Sequence, residues 1–296
     1  MGELLAFVCA LTFSLSGLLL RYGQRSRPRD NGLFMTSLVN LVIYTGLTLG
    51  ALVLGVLPPI TLAGVLLFVL AGVTNTLVGR WSWLQSLRLI GPSRSTSLKS
   101  ANPVFAALLA LIFLGQPLGV NTVIGMAFVL GGVLLLQRSP TSPPRSGDPP
   151  SSMAEGVGLG LFSAFSYGCG AVLRAAGLGT LPSPFVGALL GAMVASVSIF
   201  ASDVARGNLR QRWADNVGRV PRSFLLAGVL AAAAQLSQFA SLQYTTVARS
   251  TVIASTEPLI TTLLSAAFFS QLDTVTRRSA VSVVGIVLGV AVVAFR

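Results

Sequence analysis

The sequence predicts an all-α membrane protein of ten transmembrane helices, laid out as two inverted repeats of five. Three observations carry this prediction. Hydrophobic residues make up 53% of the 296 positions and charged residues only 9%, a balance far from that of a soluble domain. Ten apolar runs of membrane-spanning length succeed one another along the chain. One stretch is also written twice. From Ser86 to Pro103 and from Ser241 to Pro258, a constant offset of 155 aligns Ser86 with Ser241, Leu87 with Leu242, Arg94 with Arg249, Ser95 with Ser250, Thr96 with Thr251, Ser100 with Ser255 and Pro103 with Pro258.

A spanning helix needs about 20 mostly apolar residues. Such runs occupy 3–20, 33–57, 60–84, 95–114, 120–136, 155–178, 185–203, 224–244, 250–269 and 278–295. Turn chemistry separates them at Pro58-Pro59, Gly91-Pro92, Gly115-Gln116-Pro117, Pro182-Ser183-Pro184 and Pro221. Residues 138–153 hold five prolines in 16 positions, the composition of an extended connector. The expected organisation is therefore a first five-helix repeat at 1–137, a Pro/Ser-rich linker at 138–153 and a second five-helix repeat at 154–296. Met1-Gly2-Glu3 offers no positive leader, so run one is expected to be a retained helix. Position 6 is Ala, where a myristoylation motif needs Ser or Thr.

Five spans per repeat is an odd number, so the second copy crosses the membrane in the opposite sense to the first. Charge supports this independently. The connections after runs one, three, five, seven and nine hold four, two, two, five and two arginines, together 15 of the 20 basic residues. By the positive-inside rule those connections are cytoplasmic and both termini face outward. The net charge of +12 is thus a matter of membrane orientation, since the arginines lie between apolar runs and form no single patch of the kind nucleic acid requires.

A second repeat match sets Leu11 to Ser14 against Ser163 to Ser166, early in runs one and six. Gly125 and Gly132 in run five, and Gly285 and Gly289 in run ten, suit close helix packing. Cys9 and Cys169 each sit in an apolar run and are expected to be small packing residues, neither disulfide nor metal ligand.

These residues resemble the EamA-type members of the drug/metabolite transporter superfamily. The resemblance is carried by two inverted halves of five helices and by Ser-x-x-x-Ser-x-(Asn/Glu)-Pro openings in runs four and nine. Leu114-Gly115-Gln116 and a glycine-bearing last helix add to it. It implies a secondary carrier of small molecules whose central cavity is lined mainly by helices 1, 3, 4, 6, 8 and 9. The sequence departs from the family pattern in three places. Asn102 stands where the first half usually has Glu, Gln116 and Gln271 stand where Glu often comes next, and the arginine bias places the termini opposite to the family's cytoplasmic norm.

Carriers built on inverted repeats bind at the midplane, where polar residues and interrupted helices meet. Glu257 is eighth in run nine, about 10 Å in from that end. A carboxylate there costs about 2.5 kcal/mol or more on insertion scales. It is expected to couple proton movement or to pair with a cationic group of the cargo; the alternative is a structural tie between helices. Lys99 and Asn102 share a face of run four, with Lys99 separated axially from Glu257 by roughly 13 Å, room for a small zwitterion. Lys99 can instead snorkel to the interface, and Asn102 can bond another helix. Asn75, Arg80 and Trp83 close run three; Arg80 can draw an anionic group inward, or Arg80 and the tryptophans can anchor the helix end. Gln235 and Gln238 are three apart on one face of run eight, suited to a cavity wall. Ser14 and Tyr167, with Ser16 and Ser166, are weaker candidates because serine often bonds its own helix. Asn40 and Tyr44, four apart in run two, also fit an inward face. Residues 206–222 form the longest polar connection and suit a basic loop or a short interfacial helix.

The expected function is secondary transport of a small polar or zwitterionic metabolite, such as an amino acid, out of the cell across the plasma or inner membrane, with proton coupling through Glu257. A lipid flippase or channel-like pore is the alternative. A membrane-embedded enzyme fares worst, because the chain has no histidine and no carboxylate cluster or cysteine–base pair. No Walker loop is present for ATP-driven pumping. No cofactor or metal is expected; the partners are the small-molecule substrate and the lipid bilayer, no nucleic acid, and the pattern leaves room for a homodimer.

Overall fold

The structure, a computed structural model, describes residues 1–26, 32–90, 92–137, 150–205, 207, 222–268 and 277–294. Among them there is no strand, and the helices come in this order: α1 (Gly2–Ser26), α2 (Leu33–Val53), α3 (Leu62–Ile90), α4 (Pro92–Lys99), α5 (Asn102–Leu114), α6 (Val120–Gln137), α7 (Pro150–Thr180), α8 (Pro184–Ala205), α9 (Arg222–Tyr244), α10 (Val247–Ala254), α11 (Glu257–Phe268) and α12 (Arg277–Ala294). Proline at the first helical position pre-sets the backbone of α4, α7 and α8. Thr61 and Thr246 cap α3 and α10, accepting from the Gly64 and Arg249 N–H groups at 3.2 and 3.4 Å. Gly115 ends α5 at φ 62°, the left-handed turn that glycine tolerates.

Six helices, Gly2–Gln24, Leu33–Val53, Leu62–Ile90, Met153–Thr180, Pro184–Ala205 and Arg222–Tyr244, are long and apolar enough to cross a membrane. The chain is a multi-pass membrane protein. Runs four and nine depart from the expected single spans, because each is two shorter helices meeting at a break. Run six starts earlier than expected, at Pro150, so the last residues assigned to the linker belong to α7; the rest of the linker, most of the 206–222 connection and Gln271 lie outside the described residues.

Contacts at the helix ends sort the chain into two faces. On the first, Ser241 Oγ donates to the Gly2 carbonyl at 2.9 Å and Thr61 Oγ1 to the Thr180 carbonyl at 3.2 Å. On the second, Ser86 Oγ donates to the Gly156 carbonyl at 2.7 Å and Gly23 abuts Phe224. Helix α1 therefore leaves the first face whereas α7 arrives at it, so the two halves run in opposite senses. The described ends around 26, 33, 90, 92, 205 and 222 share the second face, and these ends flank the arginine-rich stretches of the sequence.

Small residues bring the helices together, as lipid supplies no hydrophobic drive between them. Helices α6 and α12 cross where a Cβ on Gly289 would lie 2.7 Å from the Gly125 carbonyl oxygen and one on Gly285 would lie 3.8 Å from Gly132 Cα. One buried cluster joins Tyr44, Phe68, Leu181 and Phe239, with Phe68 and Phe239 edge to face at 5.8 Å. A second joins Met126, Val129, Val252, Ile253, Leu259 and Ile286. Large apolar side chains such as Val42, Ile112, Phe113 and Val120 point outward, the inverse of a soluble protein and what a hydrocarbon solvent permits.

Candidate functional site

Two prolines build the site. Pro103 and Pro258 lack an N–H, and in an unbroken helix their rings would press on the carbonyls of Lys99 and Ala254, four residues back. The chain answers identically at both places. The Ala101 N–H bonds to the Leu98 carbonyl and the Val104 N–H to the Ala101 carbonyl; 155 residues on, Thr256 bonds to Ile253 and Leu259 to Thr256. Hydroxyls from Ser100, Ser255 and Thr256 donate to the carbonyls of Thr96, Val252 and Ile253 at 2.9, 2.7 and 2.8 Å, supplying partners that lipid cannot. Asn102 and Glu257 are thereby the first residues of α5 and α11, correcting the expectation that Glu257 is eighth in a continuous helix.

Glu257 is exposed, yet it lies deep within the bundle. Accessible surface at that depth is what an internal hollow beside the side chain would give. Its backbone is held from two sides, since Ser14 Oγ and Thr261 Oγ1 donate to its carbonyl at 2.9 and 2.8 Å. The charges and acids bearing on its carboxyl are the Lys99 ammonium from α4 and the buried Cys9 thiol from α1. Among the described residues no ion pair closes between Lys99 and Glu257.

Lys99 is held by aromatic faces. Its Nζ lies 4.8 Å from the Trp83 ring centroid and 4.6 Å from that of Tyr167, a cation–π pair of contacts. Gly79, the residue before Arg80 on α3, abuts the Tyr167 ring, and Arg174 lies two turns farther along α7. Arg174 in turn lies 5.3 Å over the Phe239 ring of α9, near Cys9 and Tyr44. Arg80, Lys99 and Arg174 are each half-buried.

Placing Arg80 and Trp83 at a helix end proved incorrect. Helix α3 continues to Ile90, about 15 Å beyond Arg80, and Val73–Gly79 is π-helical. A π segment adds a residue per turn and re-aims the side chains beyond it, bringing Arg80 and Trp83 inward while Trp81 stays exposed. Asn75 lies within that segment, buried against Gly170, where any side chain would collide with its amide.

Other expected residues have different tasks. Gln238 is buried and its Nε2 donates to Ser250 Oγ at 2.9 Å, in a chain that includes Ser241; it ties α9 to α10. Gln235 is half-buried, one turn before Phe239 on the same face, and Asn102 is half-buried at the start of α5. Ser14 and Ser16 are buried straps, the latter donating to the Ala227 carbonyl at 2.7 Å, and Ser166 bonds its own helix at Phe162. Tyr44 Oη donates to the Ala232 carbonyl at 3.2 Å and, with its amide oriented to donate, Asn40 reaches the Gly228 carbonyl at 2.9 Å; both join α2 to α9. Sequence reasoning missed Arg174, Cys9 and Phe239. The available signal was Arg174 itself, the one basic residue within run six. Cys9 and Cys169 are free thiols. Among the described residues no group of three or more His, Cys, Asp or Glu side chains could hold a metal.

The model of the EamA-like transporter family matches residues 1–138 and 154–295. A crystal structure of another protein superposes with a TM-score of 0.73 at 15% sequence identity, covering 99% of this chain and 96% of that one; at that identity the likeness speaks for the fold alone. Among curated proteins, none matches the sequence.

Proposed function

The chain belongs to the EamA-like transporter family, and on that premise we propose that it is a secondary carrier exporting a small polar or zwitterionic metabolite, with Glu257 as the proton-coupling group. One observation supports this above others: an accessible carboxyl sits at a helix break, its backbone bonded from Ser14 of α1 and the Lys99 ammonium of α4 bearing on it. A carboxylate there holds either a proton or a cationic group of the cargo, and competition between the two couples their fluxes. Facing it are the Cys9 thiol of α1 and the Lys99 ammonium of α4; α6 contributes no titratable residue. Transport in proteoliposomes by Glu257→Gln tests the coupling. The expected variant loses its response to an imposed pH gradient; full activity that still tracks pH removes Glu257 from the mechanism.

In the membrane we place both termini outside, with the arginine-rich second face in the cytoplasm, on the positive-inside bias. Reporter fusions at each end check this, and a cytoplasmic signal from either terminus reverses the assignment.

A further inference from the structure

The charges around the hollow do not balance. Lys99 stands over the Tyr167 ring, Arg80 follows Gly79, which abuts that ring, and Arg174 lies two turns along the helix of Tyr167, against one carboxyl at Glu257. Ion pairs join Glu3 to Arg249 and to the N-terminal amine, at the first face. Neither reaches the three cations. Aromatic faces of Trp83, Tyr167 and Phe239 ease their burial but neutralise nothing, and uncompensated charge at membrane depth is costly to keep.

We propose that the cargo supplies the missing charge: it is a small organic anion bearing two acidic groups, one met by Arg174 and the other by Arg80 and Lys99. This deepens the carrier assignment and rests on it. Tyr167 and Arg174 are seven residues apart on one helix face, about 10 Å of rise, an interval that an arginine side chain leaning toward the helix N-terminus shortens. The remaining span suits two carboxylates, or a carboxylate and a phosphate, a few bonds apart. Arginine takes such oxyanions two-pronged, and an amino group on the same molecule would find Glu257.

The test uses the purified full-length protein in two arms. In the first, melting temperature is measured against glutarate, aspartate, glycerol phosphate, alanine and putrescine. Glutarate, aspartate or glycerol phosphate is expected to raise it while alanine and putrescine do not, and the better stabiliser identifies the second acid as carboxylate or phosphate. Arg174→Gln should weaken anion binding about tenfold or more, with Arg174→Lys retaining part of it, since lysine keeps the charge but not the two-pronged geometry, and confirming that the fold survives. Stabilisation by alanine or putrescine alone, or anion binding unchanged in both Arg174→Gln and Arg80→Gln, overturns the inference. The second arm measures flux of the same solutes in proteoliposomes. Flux of alanine or putrescine without anion binding sinks the inference and leaves the carrier standing; anion binding without any solute flux does the reverse.

Discussion

Ser14 Oγ donates to the carbonyl of Glu257 at 2.9 Å, and also to its own helix at Ala10, 2.7 Å away. This one hydroxyl joins α1 to the first residue of α11 and fixes where the carboxyl leaves the backbone. Ser166, its counterpart in the other repeat, bonds only the Phe162 carbonyl four residues back. Ser14→Ala is therefore expected to cost about 1 kcal/mol of stability and to depress transport, whereas Ser166→Ala should leave both near wild type. Thermal unfolding and proteoliposome flux, measured on the two variants together, check the asymmetry.

Restoring a continuous helix at either break should slow the carrier. In Pro258→Ala an N–H returns and the ring is gone, so the Ala254 carbonyl can take its ordinary partner and α10 can run into α11. The expected variant folds at least as stably as wild type but transports poorly; wild-type flux would show that the interruption is dispensable.

The aromatic hold on Lys99 depends on rings and not on the phenol. Tyr167→Phe keeps the face 4.6 Å from Nζ, so anion affinity should change little. Tyr167→Leu removes it, at about 0.5–2 kcal/mol, or up to a factor of about 30 in apparent affinity. Transport KM read across the two variants distinguishes the cases; equal effects would point to the hydroxyl.

At the first face, residues of the opening half seal the start of α10. Gln116 Oε1 accepts from the Val247 N–H at 2.9 Å, and Glu3 meets Arg249 at 3.7 Å and accepts from Thr245 Oγ1 at 3.2 Å. The amide cap occupies a part-buried helix start, so Gln116→Leu should cost about 1–2 kcal/mol. The ion pair is partly solvated, so Glu3→Gln should cost less than about 1 kcal/mol. Thermal unfolding ranks them, and the reverse order would refute the assignment of the cap as the stronger tie.

The positions of Glu257 and Asn102 beside prolines were legible because the repeat prints the same pattern twice. That each proline splits its run in two was not taken from the pattern, since hydropathy alone does not count backbone hydrogen bonds. Arg80 and Trp83 were assigned to a helix end because a basic residue between tryptophans is what an interface uses; the π segment that turns them inward has no sequence signature of its own. Gln238 looked like a cavity wall by spacing, and only the proximity of Ser250 committed it to the scaffold. Arg174 was passed over because its run seemed to end four residues later.

By itself the sequence determined the solvent and the duplication, because apolar length and a constant offset survive in one dimension, and the arginine bias pointed to the opposed sense of the two halves. It also determined that a lone acid sits beside a helix-breaking proline. Tertiary structure alone decided that Lys99 of α4 stands over the Tyr167 ring of α7, that Gly79 brings Arg80 of α3 beside that ring, and that Glu257 keeps accessible surface at a helix break. That arrangement depends on how helices rotate about their axes and cross, which close packing and a single π-helical segment set, and which no spacing along the chain records.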